Sequence, residues 1–426
     1  MTTPATGQPQ TGRSARPYLS NTAVVVLCML VTVMEGYNLI VFGAVVPLLL
    51  QDPGLGIDEQ TTGTVGGIVY LGALTGVLLG TSLADRFGRH KVMAAAAAVF
   101  AIGAVMASMA PNPELLGLAR FITGIGVGGA ITTAMTLARN HAPHGRASLV
   151  ITVTMAGVPL GGTLAALLGM FAMPVWGWRP MFLAGAAMTL IVLVVILSCR
   201  ISEPEEVHAT HLTPSQKFTA LFESGGSILV LFVALSAVTN MVTWLGLNVW
   251  LAEAMKGLGF DLTTALLFVF SLTGAAVFGS FIAAGAADRF GSARVTIICA
   301  TLTLTGLIGV LAGPRSLPMA LLFVALMGIG GHSTQNLINA TASGSVAAHS
   351  RGTILGLTNA MAFIGSFLGP ALGGTIFAAS GPTGVFGLYA VSAALCLVLC
   401  SGLYITSRKY KQSGDLLTTE AEAAIL

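Results

Sequence analysis

The sequence predicts an all-α polytopic membrane protein: twelve transmembrane helices in two six-helix halves related by a pseudo-two-fold axis. Three observations carry this. Hydrophobic residues make up 55% of the chain and charged residues 8%, whereas a soluble protein carries about 25% charge. Twelve stretches are apolar over the roughly 20 residues that a bilayer crossing needs. The two halves also repeat. Ala84-Asp85-Arg86-Phe87-Gly88 returns as Ala287-Asp288-Arg289-Phe290-Gly291, Gly124-Ile125-Gly126 returns as Gly328-Ile329-Gly330, and Arg146 returns as Arg351, at offsets of 203, 204 and 205. Six crossings bring the chain back to the side it started from, so the repeat is parallel.

The spans fall at 20–50, 61–84, 92–110, 115–138, 147–172, 180–199, 225–252, 263–287, 293–312, 318–346, 352–379 and 383–406. Residues 1–19 read as a polar cytoplasmic tail. The run after them is too long for a signal-peptide core and contains Glu35, so it is expected to be retained as the first span. The first bundle is 20–199. A polar linker at 200–224 holds Glu203, Pro204, Glu205, Glu206, His208 and His211, and the second bundle is 225–406. The tail from 407 is basic, then acidic, and is expected to lack fixed structure. His208 and His211 have no third ligand beside them, so no metal is expected, and no cofactor either. The five cysteines show no C-x-x-C spacing and read as packing residues.

Lys and Arg set the orientation. With the N-terminus inside, fifteen of the nineteen lie in cytoplasmic segments, and only Arg179, Lys256 and Arg315 lie outside. The remaining one, Arg120, sits within a span. A multi-pass cell-membrane protein with both termini cytoplasmic is therefore expected. It would work as a monomer in the lipid bilayer, with no nucleic-acid partner.

Polar residues inside spans are costly, about 2.5–3.5 kcal/mol for a charge at a helix centre. They concentrate on four spans at helical spacing. The first has Glu35, Asn38 and Phe42; the fourth has Arg120 followed by Gly124 and Gly128. The seventh has Asn240, Trp244 and Asn248, and the tenth has His332, Gln335, Asn336 and Asn339. Glu35 and Arg120 leave three readings open: a neutralising pair, a proton site beside an anion site, or side chains that snorkel to the interface. His332 is either a satisfied buried histidine or a group that binds substrate or handles protons. Trp178-Arg179-Pro180 reads as an interface anchor. Spacing places Gly72, Gly76 and Gly80 on one smooth face of the second span, and Gly365, Gly369 and Gly373 on one face of the eleventh, both suited to close helix packing. No nucleophile–base or metal-ligand cluster appears in the spans, so an enzyme is not expected.

The loop after the second span reads Gly80-Thr81-Ser82-Leu83-Ala84-Asp85-Arg86-Phe87-Gly88-Arg89-His90-Lys91. It resembles the G-x-x-x-D-R-x-G-R-[RK] signature of the major facilitator superfamily, with a weaker copy at Asp288-Arg289-Phe290-Gly291. The resemblance implies the major facilitator fold, with spans one, four, seven and ten lining a central cavity. It also implies a conformational latch at Gly80, Asp85, Arg86, Gly88, Arg89, Asp288 and Arg289, which breaks when the cavity opens inward.

Glu35-Gly36-Tyr37-Asn38, then Phe42-Gly43 and Pro47, resembles the D-G-[FY]-D element of the aromatic acid:proton symporter family. Arg120, Thr123, Gly124, Gly126, Gly128 and Gly129 match its R-x-x-T-G-x-G-x-G-G element. The chain departs from that family at Asn38, where the second acid is missing. It departs again at Asn140 in place of an acid, at Ala252 in place of the proline of W-L-P, and at Phe363 in place of an arginine. The resemblance implies a symporter importing a benzoate-like aromatic carboxylate with protons. Glu35 and His332 would serve coupling. Arg120, Tyr37, Asn38, Asn240, Trp244, Asn248, His332, Asn336 and Asn339 would serve binding. The alternatives are proton-driven efflux of aromatic or cationic compounds, and a receptor or scaffold that keeps the fold without transport.

Overall fold

The computed structural model describes residues 18–143, 146–201, 221–222, 226–313, 316–346 and 350–423. The expected N-terminal tail up to 17 and most of the linker, with His208 and His211, lie outside the described residues. The helices are α1 (Asn21–Leu49), α2 (Glu59–Phe87), α3 (Arg89–Ser108), α4 (Pro113–Asn140), α5 (Ala147–Met155), α6 (Gly157–Trp176), α7 (Arg179–Ser198), α8 (Gly226–Gly257), α9 (Leu262–Phe290), α10 (Ser292–Leu311), α11 (Leu317–Ser345) and α12 (Arg351–Ala423).

Twelve crossings follow from these elements. Helices α5 and α6 form one apolar span, Leu149–Trp176, interrupted at Ala156 just before Pro159, whose ring nitrogen cannot donate to the preceding turn. Helix α12 contains two spans that part at Gly381, where φ is 63° and ψ is −160°; its arms are 351–380 and 382–423. The second arm stays helical to Ala423, so the tail that the sequence led us to expect without structure continues the last helix.

The sequence repeat is a structural repeat. The run α2, α3, α4 has 29, 20 and 28 residues, and α9, α10, α11 has 29, 20 and 29. Both runs open on an aspartate N-cap, Asp58 and Asp261, whose carboxylate accepts backbone N–H bonds. Both turn from the first helix to the second on a single glycine, Gly88 (φ 89°) and Gly291 (φ 88°), a conformation that a Cβ would strain. The glycines that pack the units correspond too. Gly124 meets the backbone of α2 and Gly126 that of α3; Gly328 meets α9 and Gly330 meets α10. A side chain at any of these positions would overlap main-chain atoms of the neighbouring helix, so the helices lie closer than larger residues allow.

One end of the molecule gathers Arg86, Arg89, Lys91, Arg139, Arg289, Arg294 and Arg351; we call it the basic end. At the opposite end a polar staple ties three loops. The Trp178 indole N–H donates to Asp52 Oδ2 at 2.9 Å. Arg179 donates to the carbonyls of Ser108 and Ala110 and lies 3.7 Å from Asp52 Oδ2. The Trp178 bond, with Arg179 beside it, holds the Asp52 carboxyl below the usual carboxylate range. Trp178 is only 5% exposed, which corrects its reading as an interface anchor; the exposed indole at this level is Trp176, at 69%.

The principal contacts between halves are α1 with α8 and α9, α2 with α12, and α5 and α6 with α9. Several are backbone to backbone. Gly43 lies against Asn248 and Val249, Gly63 against Pro370 and Gly374, and Gly67 against Phe367. At mid-depth the Thr163 hydroxyl meets that of Thr273 at 3.1 Å. No principal contact joins α4 to α11. The halves therefore close at the opposite end and separate toward the basic end, where Asn339 and Asn359 pair at 3.2 Å in an exposed setting.

Candidate functional site

Arg120 is the centre of the site. It lies two turns into α4 from the opposite end, on the turn where α4 passes Phe42 of α1. Its guanidinium is 1% exposed and stacks on the Phe42 ring, 4.8 Å from the centroid. Nη1 donates to the Asn38 carbonyl at 2.8 Å. Nε and Nη2 have no hydrogen-bond partner. Tyr70 of α2 is within Coulombic reach of the guanidinium, and its buried hydroxyl is also unpartnered. Two guanidinium nitrogens and a nearby phenol hydroxyl are thus buried without an acceptor, donors of the kind that a carboxylate takes with charge-assisted bonds.

Glu35 is 0% exposed, and both its carboxyl oxygens lack a donor. It lies one turn along α1 from Asn38 toward the basic end, about 4.5 Å of axial rise. Of the three readings left open by sequence, this structure contains neither the ion pair nor the snorkelling arrangement: Arg120 bonds to a backbone carbonyl, and both side chains are buried.

The other first-half candidates serve packing in this conformation. The Tyr37 hydroxyl donates to the Met181 carbonyl of α7 at 2.9 Å. The Asn38 side chain lies against Gly185 of α7, where a Cβ would overlap it, and its Nδ2 donates to Met34. It is the Asn38 carbonyl, not its amide, that reaches Arg120.

On the second half, Asn240 Nδ2 donates to the Gly331 carbonyl, tying α8 to α11. Trp244 and His332 stack at 5.6 Å between centroids, tilted by 53°. Asn248 Nδ2 donates to the Trp244 carbonyl at 2.7 Å. This leaves a run of buried polar atoms without partners: Asn248 Oδ1, His332 Nε2 and both amide atoms of Gln335. Gly43, next to Phe42, packs on the Asn248 backbone across the α1–α8 contact. Asn336 is half-buried. Asn339 spends its Nδ2 on Asn359.

The residues that the resemblance marks as a latch lie at the basic end. Gly80 packs on Gly129. Asp85 and Asp288 are exposed, with no hydrogen bond or ion pair among the described residues. Arg86 lies over Phe87 and Arg289 over Phe290, each 5.3 Å from the ring centroid. His90 Nε2 bonds to the Ile196 carbonyl of α7 at 2.8 Å. The aspartates are disengaged on the side where the halves separate.

The Major Facilitator Superfamily model matches residues 28–285 and 233–424. The chain belongs to this superfamily. Within it, the gentisate transporter of Corynebacterium glutamicum is 30% identical over 399 residues, covering 91% of this chain and 88% of that one. The benzoate transport protein of Acinetobacter baylyi is 26% identical, covering 91% and 90%. Among solved superfamily structures, a D-xylose–proton symporter superposes with a TM-score of 0.74 at 19% identity, covering 88% of this chain and 96% of that one. A bacterial homologue of the human lysosomal transporter Spinster superposes with a TM-score of 0.73 at 17% identity, covering 94% and 99%. These likenesses establish an integral membrane transport protein with the major facilitator fold.

Sequence reasoning missed Tyr70 and the platform role of Phe42. A lone tyrosine in an apolar span carries no periodic signal, and only the packing of α2 beside α4 brings it within Coulombic reach of Arg120.

Proposed function

We propose that the chain is a proton-coupled importer of a small aromatic carboxylate, working by alternating access between its two halves. The observation that carries this reading is Arg120: a buried cation with two unused N–H groups, an aromatic ring beneath it and the Tyr70 phenol beside it. The names of the curated relatives point to the same substrate class. The excess of Lys and Arg assigns the basic end to the cytoplasm, which makes the structure inward-open. Substrate carboxylate binds Arg120 and Tyr70. Glu35, one turn nearer the cytoplasm, carries the proton; with no donor near its oxygens, the conformation seen suits the uncharged acid.

The second-half run adds a preference. A bare benzoate ring gives Asn248, His332 and Gln335 nothing to bond, whereas a ring hydroxyl does. Sites built to bond a hydroxyl discriminate strongly against analogues lacking it, because their own polar groups stay unpaired. In proteoliposomes taking up labelled benzoate, ring-hydroxylated benzoates are expected to compete about tenfold more strongly than unlabelled benzoate. The neutral benzamide should not compete, and Gln335→Leu should narrow the gap between the acids. Competition by benzamide equal to that of the acids would overturn the carboxylate assignment.

A further inference from the structure

A second polar cavity lies away from the transport site, at the basic end of the second half. Its volume is about 240 Å³, between the α9–α10 turn, the end of α11 and the second arm of α12. Two arginines meet there on one acceptor. Arg294 Nε donates to the Tyr404 hydroxyl at 3.4 Å, and Arg408 Nη1 donates to the same oxygen at 3.0 Å. Neither arginine makes an ion pair among the described residues. No acidic residue lines the cavity; besides the arginines its polar side chains are hydroxyls, including Ser292, Thr341 and Ser407. Two like charges drawn to a single neutral phenol, with no carboxylate in the pocket lining, suit an anion.

The surroundings say which anion. The cavity sits where the spans end, at headgroup depth. Beside it the lipid-facing surface is apolar and exposed, with Phe290 at 54%, Ile298 at 57% and Ile405 at 55%. We propose that this cavity binds a phosphate group, presented by an anionic phospholipid whose acyl chains lie along Ile298 and Ile405. The phosphate bridges Arg294 and Arg408 and joins the ends of α10, α11 and α12. At the first-half turn the position of Arg294 is held by Lys91, which lacks the guanidinium fork.

The test is native mass spectrometry of the purified full chain with added phosphatidylglycerol or phosphatidylcholine, with and without inorganic phosphate. Wild-type protein is expected to retain phosphatidylglycerol over phosphatidylcholine. Arg294→Gln with Arg408→Gln should lower that retention about tenfold or more, while Arg289→Gln, on the exposed turn outside the cavity, should not. Displacement of the lipid by millimolar inorganic phosphate supports recognition of the phosphate itself. Saturation by inorganic phosphate with no lipid retained would assign the cavity to a soluble anion and overturn the lipid. Equal retention by the double variant and wild type would overturn the site altogether.

Discussion

Replacing Arg120 by Gln is expected to lower the uptake of aromatic carboxylates by about 100-fold, because hydrogen bonds to a charged group contribute about 1.5–3 kcal/mol each. Gln keeps a donor for the Asn38 carbonyl but loses the charge and the fork. Arg120→Lys separates the two. It keeps the charge but cannot stack flat on Phe42 or present two parallel N–H groups, so a loss of about tenfold is expected. Initial uptake rates per reconstituted protein give both numbers, with size-exclusion profiles to show that the variants are folded. Gln and Lys variants with equal rates would mean that the fork is not used. A Gln variant near wild type would remove Arg120 from binding.

Gly43→Val should act on the other end of the cycle. The α1 backbone there touches Asn248 and Val249 of α8, and any side chain at Gly43 would occupy the position of the Asn248 carbonyl. Such an overlap is with backbone and cannot be relieved by a rotamer change. The contact exists only while the halves are closed at this end, so the variant should favour the opposite conformation. Thr62 of α2, buried one residue from Gly63, reports on closure. In a background without the native cysteines, Thr62→Cys should react with an impermeant maleimide about tenfold faster when Gly43 is Val, a shift of about 1.4 kcal/mol in the two-state equilibrium. Uptake should fall in parallel, and Gly43→Ala should fall between. Unchanged labelling would show that this contact does not hold the end closed.

The fold was legible because its signals are repetitive. Span length, the Lys and Arg bias and the repeat at Gly88 and Gly291 each recur along the chain, and packing glycines such as Gly124 and Gly328 sit where backbones touch. The site was legible only as a set of costly residues. Helical spacing put Asn38 on a polar face with Glu35 and Phe42, but which neighbour that face meets depends on tertiary packing, and α7 takes the Asn38 side chain. The partner of Arg120 is a backbone carbonyl, which no side-chain pattern announces. Tyr70 carries no periodic signal on its span, and Glu35 without a partner could not be told from Glu35 with one.

The coupling role of Glu35 is tested most directly by accumulation of a labelled hydroxybenzoate in proteoliposomes with an inward proton gradient, after subtracting protein-free vesicles. Wild-type protein should concentrate the acid and lose that accumulation when the gradient is dissipated. Glu35→Gln should still equilibrate the acid across the membrane but not concentrate it. Accumulation by wild type that survives loss of the gradient, or accumulation by Glu35→Gln equal to wild type, would contradict proton coupling through this carboxyl.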